Sequence, residues 1–388
     1  MRNFVSNIAA EIPPSGIRRF FDLVLMMDND KVISLGVGEP DFDTPWNISK
    51  AAISSIEKGM TMYTSNRGLP DLCSVLSKDL EKRYHTKYSP TEEIIVTTGV
   101  SEAFDVAVRA VVNPGDEVIV VDPCFVSYHP EVLMAGGRPV SLPCEAKDQF
   151  KVTPDALMEK ITPATKTLII NFPNNPTGGV MGKDDLKAIS DIIVDHDLLL
   201  ISDEVYSELT YDGPHVSPAS IDELWDRTIT LNGFSKAYAM TGWRLGYLCA
   251  PKEICNAALK IHQYVMMSAP TVSQYAAIEA LKNAEEAKNE MVAEYRIRRN
   301  LFVKGLNDIG LPCHLPKGAF YAFPSIEGTG LSDEEFAERL LKEQQVAVVP
   351  GSAFGESGVG HIRTCYAVDR AKLTEAVRRI GIFIDSLK

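Results

Sequence analysis

KTLIIN (166–171), DLLLIS (197–202) and TITLN (228–232) are the stretches that decide the fold. Each is a short run rich in Leu, Ile and Thr, bounded by polar or turn-forming residues, and each predicts a strand. LLLI has no polar alternation, which predicts a strand covered on both faces. Working outward, similar runs recur as EIIVTT (93–98), EVIVV (117–121), RPVSL (138–142) and LGYLCA (245–250). Helical spacing fills most of the gaps, at about 101–112, 128–135, 154–160 and 183–195. Strands alternating with helices predict the α/β class, with a large domain built on a mainly parallel seven-stranded sheet flanked by helices.

Upstream of that core, Thr44 and Pro45 predict the N-cap and first residue of a helix reaching about Lys58. Leu69, Leu72, Leu76 and Leu80 mark a second helix at spacings of three and four. After about residue 270 the pattern changes to long helical segments (271–308, 332–344, 370–386) around strand-like pieces at 319–323, 346–349 and 361–366. A smaller α+β domain is expected there. The expected division is a large domain over 45–270 and a small domain built from both termini, 1–44 and 271–388.

The chain has 388 residues, with 39 Lys plus Arg against 52 Asp plus Glu and a formal net charge of −13. That balance argues against nucleic acid as a main partner, because it offers no general counter-charge to a phosphate backbone. The longest apolar stretches, such as Val118–Val121 and Leu198–Ile201, fall far short of the roughly 20 residues that cross a bilayer. No membrane span is expected, and the N-terminal MRNFVSNIAAEIPP lacks the apolar run of a secretory signal, so a cytoplasmic protein is expected. Seven scattered Cys with no CxxC pair fit reduced core thiols better than a disulfide frame or a zinc site.

Some motifs mislead. SLGVGEP supplies Gly36 and Gly38 of a dinucleotide fingerprint, but Asp41 stands where the third glycine belongs. GGVMGKD imitates a phosphate loop, yet Thr177 replaces its first glycine and Asp184 follows Lys183. The seven His show no HExxH or i,i+4 pairing, so no metal is expected.

NFPNNPTG (171–178), ISDEVYSEL (201–209) and GFSKAYAMTGWRLG (233–246) place polar residues at the ends of predicted strands, where α/β sheets build their sites. Asp203 follows a strand that should be buried, so something cationic should meet it. Lys236 follows TITLN, and Arg244 lies eight residues further on. A sheltered lysine near other cations has a depressed pKa and acts as an amine nucleophile toward carbonyls. Met singly, these residues are a surface lysine, a capping carboxylate and a surface ion pair; their joint occurrence is what points to chemistry.

Together the three segments resemble class I aminotransferases of the fold type I pyridoxal-phosphate enzymes, in which SK-x-x-x-M-T-G-W-R-x-G carries the Schiff-base lysine. The resemblance extends through SGIRRFFDL (15–23), GVGEPDFDTP (36–45), PGDEVIVVDPCFVSY (114–128), KGAFYAFP (317–324), VAVVPGSAFG (346–355) and HIRTCYA (361–367). It is nearest to archaeal and bacterial aromatic or aspartate aminotransferases.

The resemblance implies pyridoxal 5′-phosphate as cofactor. It makes Lys236 the cofactor-bearing lysine and proton shuttle, and Asp203 the partner of the pyridinium nitrogen. Tyr206 and Asn175 would hydrogen-bond the ring's phenolate oxygen. Arg244, Ser235 and the amides of Val100 and Ser101 would hold the phosphate at a helix N-terminus. Phe125 would stack on the ring. Arg363 would clamp the substrate α-carboxylate in a bidentate pair, helped by Asn175 and the backbone of Gly38. Tyr63 would reach the cofactor phosphate of a neighbouring subunit, implying a homodimer with shared sites. One departure is Gly233, where some relatives carry a phosphate-binding Ser. Cys124, next to the stacking position, is assigned no chemistry.

The implied reaction moves the α-amino group of an L-amino acid to 2-oxoglutarate by a ping-pong cycle. An aspartate or alanine aminotransferase and a carbon-sulfur β-lyase are the alternatives, and a non-catalytic ligand sensor is disfavoured by the intact Lys236. For an acidic side chain, Arg67 is the suggestive residue, although a place on the surface or in a subunit contact is its favoured reading. For an aromatic one, apolar residues near Ile17 and Phe20 are, and an aromatic or broad preference is favoured.

Overall fold

Every strand-like run between residues 93 and 250 becomes a strand of one seven-stranded sheet. The computed structural model describes residues 2, 4–14, 16–17 and 31–388. In chain order the strands are β1 (Ile33–Ser34), β2 (Ile94–Thr97), β3 (Glu117–Asp122), β4 (Arg138–Pro143), β5 (Thr165–Asn171) and β6 (Leu199–Asp203). They continue as β7 (Thr228–Gly233), β8 (Gly246–Cys249), β9 (Tyr321–Ala322), β10 (Val346–Ala347), β11 (Val349–Pro350) and β12 (Ile362–Cys365). The main sheet runs in the order β2-β8-β7-β6-β5-β3-β4. Its pairs are parallel except those of β8, which is antiparallel to both β2 and β7. The connection from β7 to β8 holds a 3₁₀ turn, Thr241–Trp243, and no α-helix of the kind that usually carries a parallel crossover.

Strands β3 and β7 are buried at every position, as a sheet covered on both faces requires. On β2, Ile95 joins one apolar cluster with Val118, Leu168 and Leu200, while Ile94 and Val96 join another with Leu72, Phe234 and Cys249. This is the period-2 alternation of a strand dividing two covered faces. A third cluster, around Phe302, Phe320, Phe336 and Ile362, lies under a parallel pair β1–β10 and an antiparallel sheet β11-β12-β9. The single expected strand 346–349 is therefore two short ones that serve different sheets.

Three further expectations need correction. Pro45, not Thr44, is the N-cap of helix Trp46–Glu57. The Thr44 hydroxyl donates to the Ala239 carbonyl at 2.6 Å and accepts from Trp243 Nε1 at 2.9 Å, so a tertiary bond has displaced a local one. The expected helix 271–308 is two helices, Thr271–Asn283 and Glu285–Asp308, interrupted at Ala284. The first packs Ala276, Ala277 and Ala280 into the cluster containing Ile48 and Leu72. A helix absent from the expected set, Lys252–Val265, follows β8.

All seven cysteines are free. Among the described residues no helix is long and apolar enough to cross a membrane, and no group of three or more His, Cys, Asp or Glu is arranged to hold a metal ion.

Candidate active site

The parallel strands bring their carboxyl ends to one edge. Asn171 and Asp203, the last residues of β5 and β6, are register partners, and the chain leaving β7 turns at Ser235 and Lys236. Beside them helix Gly99–Val111 begins. Gly99 has φ +79°, and a Cβ there would come within 2.8 Å of the Arg244 guanidinium, so only glycine lets this helix start so close to that side chain.

Between these parts lies a cavity of about 310 Å³, at the lower end of the roughly 300–1,000 Å³ typical of small-molecule sites. Its wall includes every residue expected to hold the cofactor or the substrate's α-carboxylate except Tyr63: Gly38, Val100, Ser101, Phe125, Asn175, Asp203, Tyr206, Ser235, Lys236, Arg244 and Arg363. Tyr63 lies elsewhere on this chain and is 83 % exposed.

At the floor, Asp203 is buried; its Oδ2 accepts from the Tyr128 hydroxyl at 2.7 Å and its Oδ1 from the Val205 amide at 3.1 Å. Burial pushes its carboxyl up to about 6, against those hydrogen bonds and the charge of Lys236. No side-chain cation among the described residues forms an ion pair with it, so a cation entering the cavity would find an acceptor waiting. Asn171 steadies the neighbourhood: its Nδ2 donates to the Asp203 carbonyl at 2.9 Å and its Oδ1 accepts from the Asn175 amide at 3.0 Å.

Lys236 Nζ donates to the Gly38 carbonyl at 2.7 Å and lies 5.9 Å from the centre of the Tyr206 ring. Burial lowers its pKa to about 8, helped by the charges of Arg363 and Arg244. A neutral amine is therefore accessible near physiological pH, the state in which lysine attacks a carbonyl.

Arg363 closes the opposite wall, 2 % exposed. Its Nη1 donates to Asn175 Oδ1 at 3.0 Å and its Nη2 to the Gly36 carbonyl at 2.6 Å. Its guanidinium carbon lies 4.6 Å from the Tyr321 ring centre and 4.7 Å from that of Phe354. Its buried Nε has no hydrogen-bond partner, and no carboxylate among the described residues meets it. A buried cation without a counter-ion calls for an anion.

Arg244, the third cation of the wall, carries φ +51° and donates to the Thr241 carbonyl at 3.1 Å. It stands beside the first amides of helix Gly99–Val111, a second anion site. Gly233 has a packing reason for not being Ser: a Cβ there would lie 3.0 Å from Gly246 Cα, the Leu245 carbonyl and Val100 Cγ2. Phe125 lines the cavity, edge-on to Tyr128 with ring centres 5.8 Å apart.

Sequence reasoning missed Tyr128, Asn171, Glu131 and Tyr321. Asn171 stood in a quoted motif at a strand end, and that position was its signal; Tyr128 and Tyr321 stood in quoted motifs as ordinary aromatics. Glu131 gave no signal: its Oε2 is buried without a partner and burial pushes its carboxyl up to about 8. Arg67 is not in the cavity. It donates to the Ile94 carbonyl at 3.3 Å, to Cys255 Sγ at 3.2 Å and to Asn256 Oδ1 at 2.5 Å, fastening helix Lys252–Val265 to β2. Ile17 lines the cavity, while Phe20 lies outside the described residues.

The family model for aminotransferase class I and II matches residues 30–380. A Bacillus subtilis (strain 168) protein, YugH, named as an aminotransferase with no substrate stated, is 50% identical over 384 residues, covering 99% of both chains. An aspartate aminotransferase of Pyrococcus abyssi is 47% identical over 372 residues, 95% of each chain. The crystal structure of an aromatic aminotransferase from Pyrococcus horikoshii OT3 superposes with a TM-score of 0.91 at 45% identity, covering 95% of this chain and 99% of that one.

The donor set suits the family's cofactor: a buried acceptor for a protonated ring nitrogen, a phenol and an amide at mid-cavity, an amine for an aldehyde, and a helix start with a guanidinium for a phosphate. The chain belongs to the class I and II aminotransferases and is a pyridoxal-phosphate-dependent transferase.

Proposed function

We propose that the enzyme transfers the α-amino group of an aromatic or broad range of L-amino acids to a 2-oxo acid in a ping-pong cycle. One observation carries this: Lys236, an amine with a depressed pKa, stands between a buried carboxylate and a buried guanidinium that have no ion partners among the described residues. When bound, the cofactor would supply an acceptor for the amino group and a sink for the electrons left when the Cα proton departs. Lys236 would hold the cofactor through its amine and, once the substrate displaces it, would serve as the base for the Cα proton. Asp203, fixed by Tyr128 and Val205, would keep the ring nitrogen protonated. Tyr206 and Asn175 would donate to the ring oxygen, Phe125 would cover the ring, and Arg244, Ser235 and the amides of Val100 and Ser101 would hold the phosphate. Arg363, backed by Asn175 and Gly36 and lying near Gly38, orients the substrate through its α-carboxylate.

Donor preference follows from counting charges. The cavity wall holds three cations, Lys236, Arg244 and Arg363, and each has a task. A side-chain carboxylate would need another, and the wall supplies none among the described residues, whereas Ile17, Phe125 and Tyr128 offer apolar surface. The aspartate-type alternative is kept alive by relatives of that name. The choice of 2-oxoglutarate as acceptor rests on the resemblance alone.

We further infer a homodimer in which Tyr63 completes the neighbouring site. Met62, Tyr63, Tyr264 and Met267 are exposed by 77, 83, 93 and 46 %, and the Asn66 side chain donates to the Met267 carbonyl at 2.8 Å. These form an apolar surface of the kind that marks an interaction site. We also propose two domains, a large one and a small one built from both termini, whose N- and C-terminal segments are joined through the β1–β10 pairing. Their second boundary belongs at the Ala284 break rather than at 270, because helix Thr271–Asn283 packs with Ile48 and Leu72.

The test is an absorbance titration of the holoenzyme with single L-amino acids and no oxo acid. Conversion of the band between roughly 360 and 430 nm to one near roughly 330 nm is expected, most completely with Tyr or Phe. Aspartate as the best donor would reverse the preference, and ammonia release with an unchanged band would overturn transamination.

A further inference from the structure

The hydroxyls of Tyr206 and Tyr321 meet at 2.8 Å in the cavity wall, and the residues are 4 % and 1 % exposed. Their rings are edge-on, with centres 5.8 Å apart. Among the described residues neither hydroxyl has another hydrogen-bond partner. Each phenol has one proton, so only two arrangements are open. If Tyr206 donates, the Tyr321 proton is left buried without an acceptor, and Tyr206 turns only lone pairs toward the cavity. If Tyr321 donates, the contact is satisfied and the Tyr206 proton is free to serve a ligand. Each arrangement leaves one phenol proton unmet among the described residues, at the desolvation penalty of an unsatisfied donor, so a ligand that accepts the Tyr206 proton stabilises the second arrangement. The Arg363 guanidinium, 4.6 Å from the Tyr321 ring centre, draws electron density from that phenol and makes it the better donor of the two.

We propose that Tyr321 is a positioning residue: it donates to Tyr206 and so aims the Tyr206 proton into the cavity, at the cofactor's ring oxygen. This rests on the reading that Tyr206 donates to that oxygen. Hydrogen bonds in a chain polarise one another, so the Tyr321 bond also strengthens the one Tyr206 makes. The backbone is shaped for this contact. A Cβ at Gly38 would fall 2.3 Å from the Tyr321 hydroxyl, so a side chain at position 38 would expel it.

The test is the pH midpoint at which the holoenzyme's absorbance passes between bands near roughly 430 and roughly 360 nm. A donor to the ring oxygen favours the form in which that oxygen carries its full negative charge, which dominates at high pH. Weakening the donor must therefore move the midpoint up. Tyr321→Phe keeps the ring against Arg363 and removes only the hydroxyl. The expected result is an upward move of about half a pH unit, with the amino-acid KM held within about twofold and kcat reduced. Tyr206→Phe should move the midpoint in the same direction and further.

A midpoint unchanged in Tyr321→Phe but raised in Tyr206→Phe overturns the proposal and leaves the Tyr206 reading standing. No movement in either variant overturns the Tyr206 reading itself. A rise in KM without a change of midpoint makes Tyr321 a support for Arg363 only, and also overturns the proposal. Should Tyr321→Phe fail to fold, Gly38→Ala breaks the same contact from the other side and must raise the midpoint too.

Discussion

Asp203 and Glu208 stand five residues apart in one segment, DEVYSE, and meet opposite electrostatic fates. Burial would raise Glu208, but Lys288 and Arg83 outweigh it and hold its carboxyl below the ordinary value. Arg83 Nη1 lies 3.0 Å from Glu208 and its Nε 2.7 Å from Asp79, while Lys288 and Tyr84 also donate to Glu208. That cluster ties helix Pro70–Tyr84 to helix Glu285–Asp308 and closes on itself. Asp203 has only neutral donors and is pushed up to about 6. The arginines divide the same way: buried Arg298 and Arg299 pair with Asp41 at 2.7 Å and Asp212 at 2.8 Å, whereas buried Arg363 has no carboxylate among the described residues. A buried charge answered within the chain belongs to the scaffold, and one left unanswered marks where a ligand completes the protein.

Removing groups from each region should separate the two kinds of charge. The largest effect is expected from Lys236→Ala, which should lower transamination by about 10⁴-fold or more and change the cofactor's visible spectrum, with far-UV circular dichroism intact. Turnover near normal would sink the mechanism.

Asp203→Ala and Glu208→Ala should give crossed results. The first is expected to lower kcat by about 10³-fold with little loss of stability. The second leaves Lys288 buried with a weaker partner and should lower the urea unfolding free energy by about 3 kcal/mol, with kcat changed little. If both variants lost stability and activity in step, the contrast would be empty.

Arg363→Leu should raise KM by about 10²-fold for aromatic, aliphatic and acidic donors alike, because it removes a contact to the group they share. An effect confined to acidic donors would reassign the residue to side-chain recognition.

The smallest effect concerns pH. A carboxylic acid whose folded pKa is raised contributes stability that is full at low pH and is lost as pH rises through the folded value. For Asp203, pushed up to about 6, the window runs from about pH 4 to 6, and the loss is at most about 3 kcal/mol. Unfolding of the apoenzyme across that range should show the decline, and Asp203→Asn should flatten it. An identical slope in both proteins would mean that Asp203 already has a counter-charge in the chain.

What was legible in the sequence was whatever depends on neighbours in the chain. Runs such as KTLIIN and LLLI carry their strand state in their own side chains, and Asp203 and Lys236 were conspicuous because they close such runs. Arg67 was misjudged for the opposite reason. Nothing near position 67 announces that Cys255 and Asn256 will occupy its guanidinium, and a long-range partner is invisible to local pattern. Thr44 failed likewise, its hydroxyl taken by Ala239 and Trp243.

The sequence by itself thus determined the α/β class, the strands, and the polar residues that end β5 and β6 and follow β7, because backbone propensity and apolar periodicity act over a few residues. Tertiary structure alone decided that β8 runs against its neighbours, that Gly38, Tyr206, Tyr321 and Arg363 share one wall, and which buried charges stay unpaired. Those outcomes depend on groups up to hundreds of residues apart meeting within a hydrogen-bond length, a distance that only the folded chain sets.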